Sequence, residues 1–408
     1  MRIGISCYPT YGGSGVVATE LAMALADGGD EVHVISYALP SRLSLANTRL
    51  YFHEVVTPRY PLFDDYPPYS LALTTKMVEV ARHGRLDVMH VHYAIPNAAS
   101  AVMARQIVAP QPLPVVTTLH GTDVTLVGND PNYLETTRWS ILQSDAVTAV
   151  SEALRRTSVE QLGTHNQIDV VPNFIDPRRY EQARNSPGAR RWAKDGESVV
   201  IHISNFRPVK RVLDVIRIFE RLLRHLPCRL LMVGDGPDRG KVEQYCREHN
   251  ICHAITFIGS LPLIEEVLVG ADLFLLPSET ESFGLAALEA LSCEVPVIAS
   301  NTGGLPELVV DGECGFLLPV GDVEAMARAA HLLLADPRRR QAMGEAGRRR
   351  AVEHFGQEAI VGRYRSIYER VTGRRQPSPP PPQPPDPAQP PDPAPPPVGP
   401  PPGPPRQG

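Results

Sequence analysis

The sequence predicts an α/β protein with two Rossmann-like, doubly wound domains that face each other across a cleft, followed by a proline-rich tail. Three observations support this prediction. The chain has 408 residues, a length typical of about two domains. Apolar strand-like runs alternate with helical periodicity in two successive series. The composition changes abruptly after residue 375, where proline becomes the dominant residue.

The first series contains six apolar runs that are typical of buried parallel strands. In chain order they are "RIGISCY", "EVHVISY", "DVMHVHYA", "LPVVTTLHG", "AVTAVS" and "IDVVPN". Helical stretches are predicted between them, for example from Val16 to Ala26 and from Tyr133 to Gln143. This series predicts an N-terminal Rossmann-like domain over residues 1–180.

The second series begins after the polar stretch "RNSPGARRWAKDGES". Its predicted strands are "SVVIHIS", "CRLLMVGDG", "AITFIGS", "DLFLLPS", "VPVIAS" and "GFLLPV", separated by helices such as "VLDVIRIFERLLRHL". We therefore predict a second Rossmann-like domain over 195–355. A C-terminal helix over 356–375 could cross back to the first domain. The tail, 376–408, is predicted to be disordered and rich in polyproline II, either as a passive extension or as a ligand for an unknown partner.

Composition and charge narrow the function classes. The net charge of −5 gives no support to a nucleic-acid-binding or anionic-membrane surface. We expect no secretory leader and no membrane span, since no apolar run reaches about 18 residues. The six cysteines show no paired spacing, so we expect buried free thiols and a cytoplasmic protein. The sequence leaves the oligomeric state open, and a homo-oligomer is one alternative.

The glycine loop "PTYGGSGVVATELA" contains a match to the dinucleotide-binding pattern G-x-G-x-x-G/A, from Gly13 to Ala18. The context fits poorly, because four residues separate the first strand from Gly12 and the second strand ends without a carboxylate. A nicotinamide site is therefore disfavoured. The preferred interpretation is a glycine loop at a helix N-terminus that approaches a phosphate and a small acceptor.

The segment "PSETESFGLAALEALSCEVPVIAS" carries the strongest signal of the second domain. Glu281 lies on the turn after a predicted strand, and Glu289 follows about 9 Å along the next helix. The backbone N–H groups of the first helical turn make an anion site suited to a diphosphate, and they belong to Ser282, Phe283, Gly284 and Leu285. A ribose attached to that diphosphate would reach Glu289.

This segment resembles the E-x7-E motif of retaining GT-B glycosyltransferases that use nucleotide-diphosphate sugars. The segments "NFIDPRRY", "MVGDGPDRGKVE" and "NTGGLPELVVDGECGFLLPVGD" resemble further motifs of that family. Two positions depart from the pattern. Glu294 stands where the family usually has glycine, which predicts a left-handed residue at a cost of about 1 kcal/mol. The phosphate clamp R-x4-K begins with Asn205 instead of arginine, and Arg207 is the expected substitute.

A closer resemblance is carried by "YPTYGGSGVVATELA", "FDDYPPYSLALTTKM", "HVHYAIPNA", "TLHGTDVTLVGNDP" and "SNFRPVKRVLDVI". It is to a subfamily that transfers N-acetylglucosamine from UDP-N-acetylglucosamine to the hydroxyl of L-malate, the first step of bacillithiol biosynthesis. The resemblance implies retention of the α configuration and no cofactor or metal. Consistent with this, the sequence has no D-x-D carboxylate pair.

The resemblance also implies roles for individual residues. Lys210 and Arg207 would neutralise the diphosphate, Glu281 would hold sugar hydroxyls, and His120 would face the sugar from the first domain. With Glu289 and the helix N–H groups, the remaining predicted donor-site residues are Gly12, Gly13, Gly15, Asn205 and Gly234. No carboxylate stands out as a glycosidase-type nucleophile, which favours front-face transfer over a covalent intermediate.

The acceptor site is predicted in the first domain, where a dicarboxylate needs convergent hydroxyl, N–H and cationic donors. The candidates are Ser14, Tyr93, Thr118, Arg138 and Lys76. His90 and His92 share one face of a predicted strand; core packing is favoured there over a metal site. Three alternatives stay open: transfer to a lipid or polysaccharide acceptor, a UDP-N-acetylglucosamine 2-epimerase-like activity, and a binding role for the tail.

Overall fold

The computed structural model describes residues 1–10, 12–57, 67–125, 127–163 and 167–374. The predicted tail, 376–408, lies outside the described residues. Within these ranges the chain forms two parallel sheets, each with helices packed on it. No described helix is both long enough and apolar enough to cross a membrane.

In the described part of the first domain, seven parallel strands form a sheet in the order β3-β2-β1-β4-β5-β6-β7. Ile3 on β1 pairs with Val32 on β2 and with Val88 on β4, so the strand order reverses on either side of β1. The strands are Arg2–Ser6 (β1), Glu31–Ser36 (β2), Leu50–Glu54 (β3), Val88–His92 (β4), Val115–Leu119 (β5), Ala146–Ala149 (β6) and Ile168–Val170 (β7).

The described residues of the second domain form a six-stranded parallel sheet in the order β10-β9-β8-β11-β12-β13. Its order reverses between β8 and β11, so both sheets have a switch point, and their carboxyl ends border the cleft. The strands are Ser198–Ile203 (β8), Cys228–Val233 (β9), Ile255–Gly259 (β10), Leu273–Leu276 (β11), Val297–Ser300 (β12) and Gly315–Leu318 (β13).

The helices cover both faces of each sheet. Those of the first domain are Ser14–Asp27 (α1), Tyr69–Gly84 (α2), Ala99–Val108 (α3), Thr122–Thr125 (α4), Leu134–Leu142 (α5), Glu152–Leu162 (α6) and Pro177–Ala183 (α7). The later ones are Val212–Leu223 (α8), Arg239–Glu248 (α9), Glu265–Leu268 (α10), Leu285–Ser292 (α11), Leu305–Leu308 (α12), Val323–Ala335 (α13), Pro337–Phe355 (α14) and Gln357–Val371 (α15). The two helices predicted with bounds, α1 and α5, lie within two residues of those bounds.

Apolar periodicity explains how these helices pack. On α8, Val212, Val215, Ile216 and Phe219 follow the i, i+3, i+4, i+7 spacing, and all four are buried against the second sheet. The last helix, α15, packs on the first domain instead. Its fully buried Tyr364 and Tyr368 join a cluster with residues of β1 and α1. Burying large side chains of this kind stabilises the fold by about 1.5–3 kcal/mol each.

Two sequence-based predictions about the fold were incomplete or wrong. The strand β3 was missed, because an edge strand is half exposed and its residues lack a continuous apolar run. The expectation that all six cysteines are free was also wrong, since Cys246 and Cys252 form a disulfide across the end of α9. The other four are free. The predicted left-handed residue Glu294 is confirmed by its φ of 62°.

Candidate active site

The donor side of the cleft is built around the start of α11. Gly284 precedes this helix in a left-handed conformation, with φ of 94°. In the described structure, no acceptor takes a hydrogen bond from the backbone N–H of Ser282, Phe283 or Gly284, and Leu285 opens the helix. Phe283 is anchored by an edge-on contact with Phe355, at 5.6 Å between ring centroids. The turn therefore presents unpaired N–H groups, which suits an anion.

Lys210 and Glu281 form an ion pair beside this turn. The Lys210 Nζ lies 2.5 Å from Glu281 Oε1, and Ser278 Oγ donates to the same oxygen at 2.8 Å. The side chains of the lysine and the glutamate are 21% and 10% exposed. A partly buried lysine whose partner is a single carboxylate oxygen can turn toward a second anion without losing its countercharge.

The other predicted donor residues lie on loops next to this pair. Asn205 and Arg207 are exposed on the loop that follows β8. Gly234 follows β9 with φ of 116°. The positive charge of Arg207 lies near enough to Tyr93 of the first domain to oppose the rise in the pKa of that tyrosine.

Glu289 is 3% exposed and lies deeper, on α11. Its Oε1 accepts from Arg42 Nη1 at 3.1 Å and from the Tyr180 hydroxyl at 3.4 Å. Oε2 accepts no hydrogen bond from the residues that the structure describes. Burial raises the pKa of Glu289 above its usual value, and the Arg42 guanidinium opposes that rise. The predicted ribose ligand therefore has one carboxylate oxygen engaged and one available.

The contact with Arg42 was not predicted from the sequence. Arg42 lies in the first domain, yet its Nε donates to the carbonyl oxygen of Pro262 at 2.7 Å in the second. Its side chain is 4% exposed and also approaches Glu20 at 3.6 Å. Arg179 makes a similar bridge from Glu20 to Glu265. No local motif marks Arg42, because a lone arginine in a polar segment gives no signal before the fold places it.

The glycine loop forms the start of α1 on the opposite side of the cleft. Gly12 and Gly13 are exposed, and Gly13 has φ of 60°. Ser14 is buried as the first residue of α1. A Cβ on Gly15 would lie 2.5 Å from the carbonyl oxygen of Tyr8, so the chain folds back on itself in a way that only glycine allows.

Tyr93 and His120 lie close to this loop. Tyr93 has φ of 84°, a left-handed conformation that costs about 1–3 kcal/mol in a non-glycine residue. Its ring lies 5.5 Å from that of His120. Burial raises the pKa of Tyr93, whereas the nearby Ser14 and Thr122 side chains lower it. The structure therefore brings Ser14, Tyr93 and His120 together.

Asp123 organises the turn that carries His120, a role that the sequence analysis missed. Its carboxylate accepts from the backbone N–H groups of His120 at 3.1 Å, Gly121 at 2.8 Å and Ala94 at 3.4 Å. Burial raises the pKa of Asp123 to about 6, although these N–H groups oppose the rise. The spacing in "LHGTD", with an aspartate three residues after the histidine, was the available signal.

The two domains touch at the centre of the cleft. A Cβ on Gly121, which has φ of 115°, would lie 1.7 Å from Ser282 Oγ. Ser151 Oγ donates to the carbonyl oxygen of Ser282 at 2.5 Å. These contacts hold the diphosphate-binding turn of one domain against the His120 turn of the other, with only glycine fitting between them.

Three predicted acceptor residues are not brought to this cluster. The Thr118 hydroxyl is fully buried and bonds to His90 Nε2 and Thr148 Oγ1, both at 2.7 Å. Lys76 pairs with Glu79 on α2 at 2.7 Å. Arg138 lies on α5, with its guanidinium next to Gly163. Their predicted positions depended on strand ends and helix faces, which do not determine the direction of a side chain.

Among the described residues, no group of three or more histidine, cysteine, aspartate or glutamate side chains is arranged to hold a metal ion. His90 and His92 lie together, with ring centroids 4.5 Å apart, but inside the core.

Two family models match the chain. The model described as "Glycosyltransferase Family 4" matches residues 11–179, and "Glycosyl transferases group 1" matches residues 189–350. The N-acetyl-alpha-D-glucosaminyl L-malate synthase of Bacillus anthracis is 44% identical over 91% of this chain and 97% of its own length. A glycogen synthase of Mycobacterium tuberculosis is 29% identical over 75% of this chain and 74% of its own length.

Solved structures agree on the fold. Sucrose-phosphate synthase from Thermosynechococcus elongatus has a TM-score of 0.76 at 21% identity, covering 92% of this chain and 100% of its own. Anabaena HepE in complex with UDP and glucose also has a TM-score of 0.76, at 20% identity, covering 90% and 99%. The predicted resemblance and fold class are thereby confirmed. The chain belongs to the GT-B glycosyltransferases, in the family of N-acetyl-alpha-D-glucosaminyl L-malate synthase.

Proposed function

We propose that this glycosyltransferase transfers N-acetylglucosamine from UDP-N-acetylglucosamine to the hydroxyl of L-malate, with retention of the α configuration and without a metal ion. The observation that carries the proposal is the 44% identity to an N-acetyl-alpha-D-glucosaminyl L-malate synthase over nearly the full length of both chains. The donor and the acceptor are taken from that relative, and the geometry of the site is compatible with both.

The donor would lie along α11 and the loop after β8. Its diphosphate would meet the N–H groups of 282–284, Lys210 and the exposed Arg207, which supply the positive charge that a metal supplies elsewhere. The ribose would donate a hydrogen bond to Oε2 of Glu289, the oxygen that Arg42 and Tyr180 leave available.

Transfer breaks the bond between the anomeric carbon and the β-phosphate oxygen and forms a bond to the malate hydroxyl oxygen on the same face. The hydroxyl proton passes to the leaving phosphate. Lys210 stabilises the charge that develops on UDP, and Glu281 orients the sugar hydroxyls. Glu281 is the carboxylate that this arrangement offers to the sugar, and its Oε1 is already held by Lys210 and Ser278, which favours front-face transfer over a covalent glycosyl-enzyme.

Malate would lie between the glycine loop and Arg207. Ser14 and Tyr93 offer hydroxyl donors from the first domain, and Arg207 offers charge from the second. A dicarboxylate bound in this position would touch both domains. Acceptor binding and closure of the cleft would then be coupled.

The experiment is UDP release from UDP-N-acetylglucosamine with a panel of acids. L-malate should release UDP rapidly, whereas succinate, which has the same carboxylates and no hydroxyl, should give only background hydrolysis. Proton NMR of the product should show an α-linked sugar, and excess EDTA should leave the rate unchanged. Equal rates with malate and succinate would overturn the acceptor assignment; a β-linked product would overturn the stereochemistry.

A further inference from the structure

His92 is the direct hydrogen-bond partner of His120. It ends β4 and is fully buried. Its Nδ1 lies 2.8 Å from His120 Nε2, and the two rings are 5.1 Å apart between centroids. The backbone of His120 is held separately by Asp123. The turn therefore fixes the position of His120, and His92 fixes the orientation of its ring.

Both imidazoles are neutral. Burial lowers the pKa of His120 to about 3 and holds that of His92 well below its usual value. A hydrogen bond between two neutral imidazoles contains one proton, and each ring has one N–H and one bare nitrogen. The tautomer of one ring therefore determines the tautomer of the other.

The surroundings of His92 decide between the two arrangements. Its Nε2 is buried, and no described residue makes a hydrogen bond to it. If His120 donated to His92, the proton of His92 would sit on this Nε2 as a buried N–H without an acceptor. Buried N–H groups without a partner are rarer in proteins than acceptors without a donor. The favoured arrangement therefore has His92 Nδ1–H donating to His120 Nε2.

We propose that His92 is a positioning residue that holds His120 in the Nδ1–H tautomer, so that His120 meets the transferred sugar as a hydrogen-bond donor and not as a base. This inference rests on the proposed function in so far as His120 faces the sugar. Nδ1 of His120 makes no hydrogen bond within the described residues and is the ring nitrogen left for a ligand. A donor there fits a reaction in which the leaving phosphate takes the acceptor proton.

The test is a nitrogen-15 NMR spectrum of the full chain labelled at histidine. The signals of His120 are assigned as those that are missing from the spectrum of His120→Ala. The proposal expects a protonated Nδ1 and a bare Nε2 on His120. A protonated Nε2 on His120 would overturn the proposal, and this readout needs no activity. If the tautomer is as expected but His120→Ala keeps full activity, the sugar-facing role fails while the pairing with His92 stands.

Variants extend the test to catalysis. His92→Phe should lower kcat about tenfold with a change in KM for UDP-N-acetylglucosamine below about threefold, since one oriented donor is lost. His92→Asn places an amide N–H near the original Nδ1 and should restore most of the rate. The matched control is His33→Phe, a buried histidine on β2 whose ring bonds to His53 and Glu31. Unchanged kcat in His92→Phe, or an equal loss in His33→Phe, would overturn the positioning role.

Discussion

The cleft has two walls that differ in the charge of their buried polar groups. The charged wall consists of Lys210, Glu281 and Glu289 of the second domain, with Arg42 inserted from the first. The neutral wall consists of His120, Tyr93 and Ser14, with the core histidines His90 and His92 packed behind them. The Asp123 carboxylate at this wall binds backbone N–H groups of the His120 turn. There, burial lowers the pKa of the three histidines and raises that of the tyrosine, so all four are uncharged at neutral pH.

This difference matches the two halves of the proposed donor. A diphosphate needs fixed positive charge, and charge in a partly buried site acts more strongly than in water. A sugar ring offers only hydroxyl and amide groups, which neutral donors and acceptors bind without the cost of burying an ion. Each wall can be perturbed separately, and the four predictions below run from the largest expected effect to the smallest.

The charged wall should depend most on Arg42. Arg42→Met leaves Glu289 buried without a countercharge, which should lower the free energy of unfolding by about 3–5 kcal/mol. Arg224→Met, which removes an exposed partner of Glu220, should cost less than about 1 kcal/mol. Urea unfolding of both variants measures the difference. Equal, small losses would show that Arg42 does not neutralise Glu289.

Acidity adds a second readout for Arg42→Met. Burial raises the pKa of Glu289 in the folded state above its unfolded value, so the folded state binds the proton more readily. The free-energy cost of burying the ionised Glu289 is therefore largest above its folded-state pKa. It decreases as the pH falls from that pKa toward the pKa of the unfolded state. Without Arg42 the folded-state pKa should rise further. The loss of stability should then be smaller at pH about 6 than at pH about 8.

Lys210→Ala should reduce kcat by about 10²- to 10³-fold, because the lysine faces charge that grows as UDP departs. The KM for the donor should change less, since the N–H groups of α11 and Arg207 still bind the ground state. Lys241→Ala is the control, because Lys241 pairs with Asp238 in the same domain and is 69% exposed. A normal rate in Lys210→Ala would remove this residue from the mechanism.

The neutral wall should make the fold sensitive to acid. Burial lowers the pKa of His90 from 6.5 to about 3, so between these values the unfolded chain binds the proton and the folded chain does not. The free energy of unfolding is therefore highest above pH about 6.5 and decreases as the pH falls. Each buried histidine with a lowered pKa contributes about 1.4 kcal/mol per pH unit to this decrease. His90→Phe should reduce the pH dependence of the unfolding free energy by the contribution of one histidine. Urea unfolding between pH about 7 and about 5 measures this change. An unchanged slope would mean that His90 is already charged or exposed.

Side chains of both walls could be predicted from the sequence, whereas the long-range contacts that hold them in place could not. The diphosphate turn and Glu289 lie within one strand-turn-helix unit, where local spacing fixes the geometry. Arg42 and Asp123 act through contacts that exist only once distant segments meet. Thr118 was predicted as an acceptor ligand from its place at a strand end, but its hydroxyl lies inside the core beside His90. The position of a residue in a strand determines the face of the sheet on which its side chain lies. Whether that side chain is buried depends on how α15 packs on the first domain.

The smallest expected effect sharpens this last point. Ser14 and Thr118 were both predicted to bind the acceptor, but only Ser14 turns its hydroxyl toward the Tyr93 side chain. Thr118 meets Tyr93 through its backbone carbonyl oxygen, and its hydroxyl lies in the core. Ser14→Ala should raise the KM for malate roughly tenfold, since a hydrogen bond to a carboxylate contributes about 1.5 kcal/mol, and leave the KM for UDP-N-acetylglucosamine unchanged. Thr118→Val removes a hydroxyl that bonds to His90 and Thr148, so it should lower stability by about 1 kcal/mol without changing the KM for malate. Initial rates against malate, with unfolding measured in parallel, separate the two variants. If Thr118→Val raises the KM and Ser14→Ala does not, the acceptor lies deeper in the first domain, and the neutral wall extends into the core around β5.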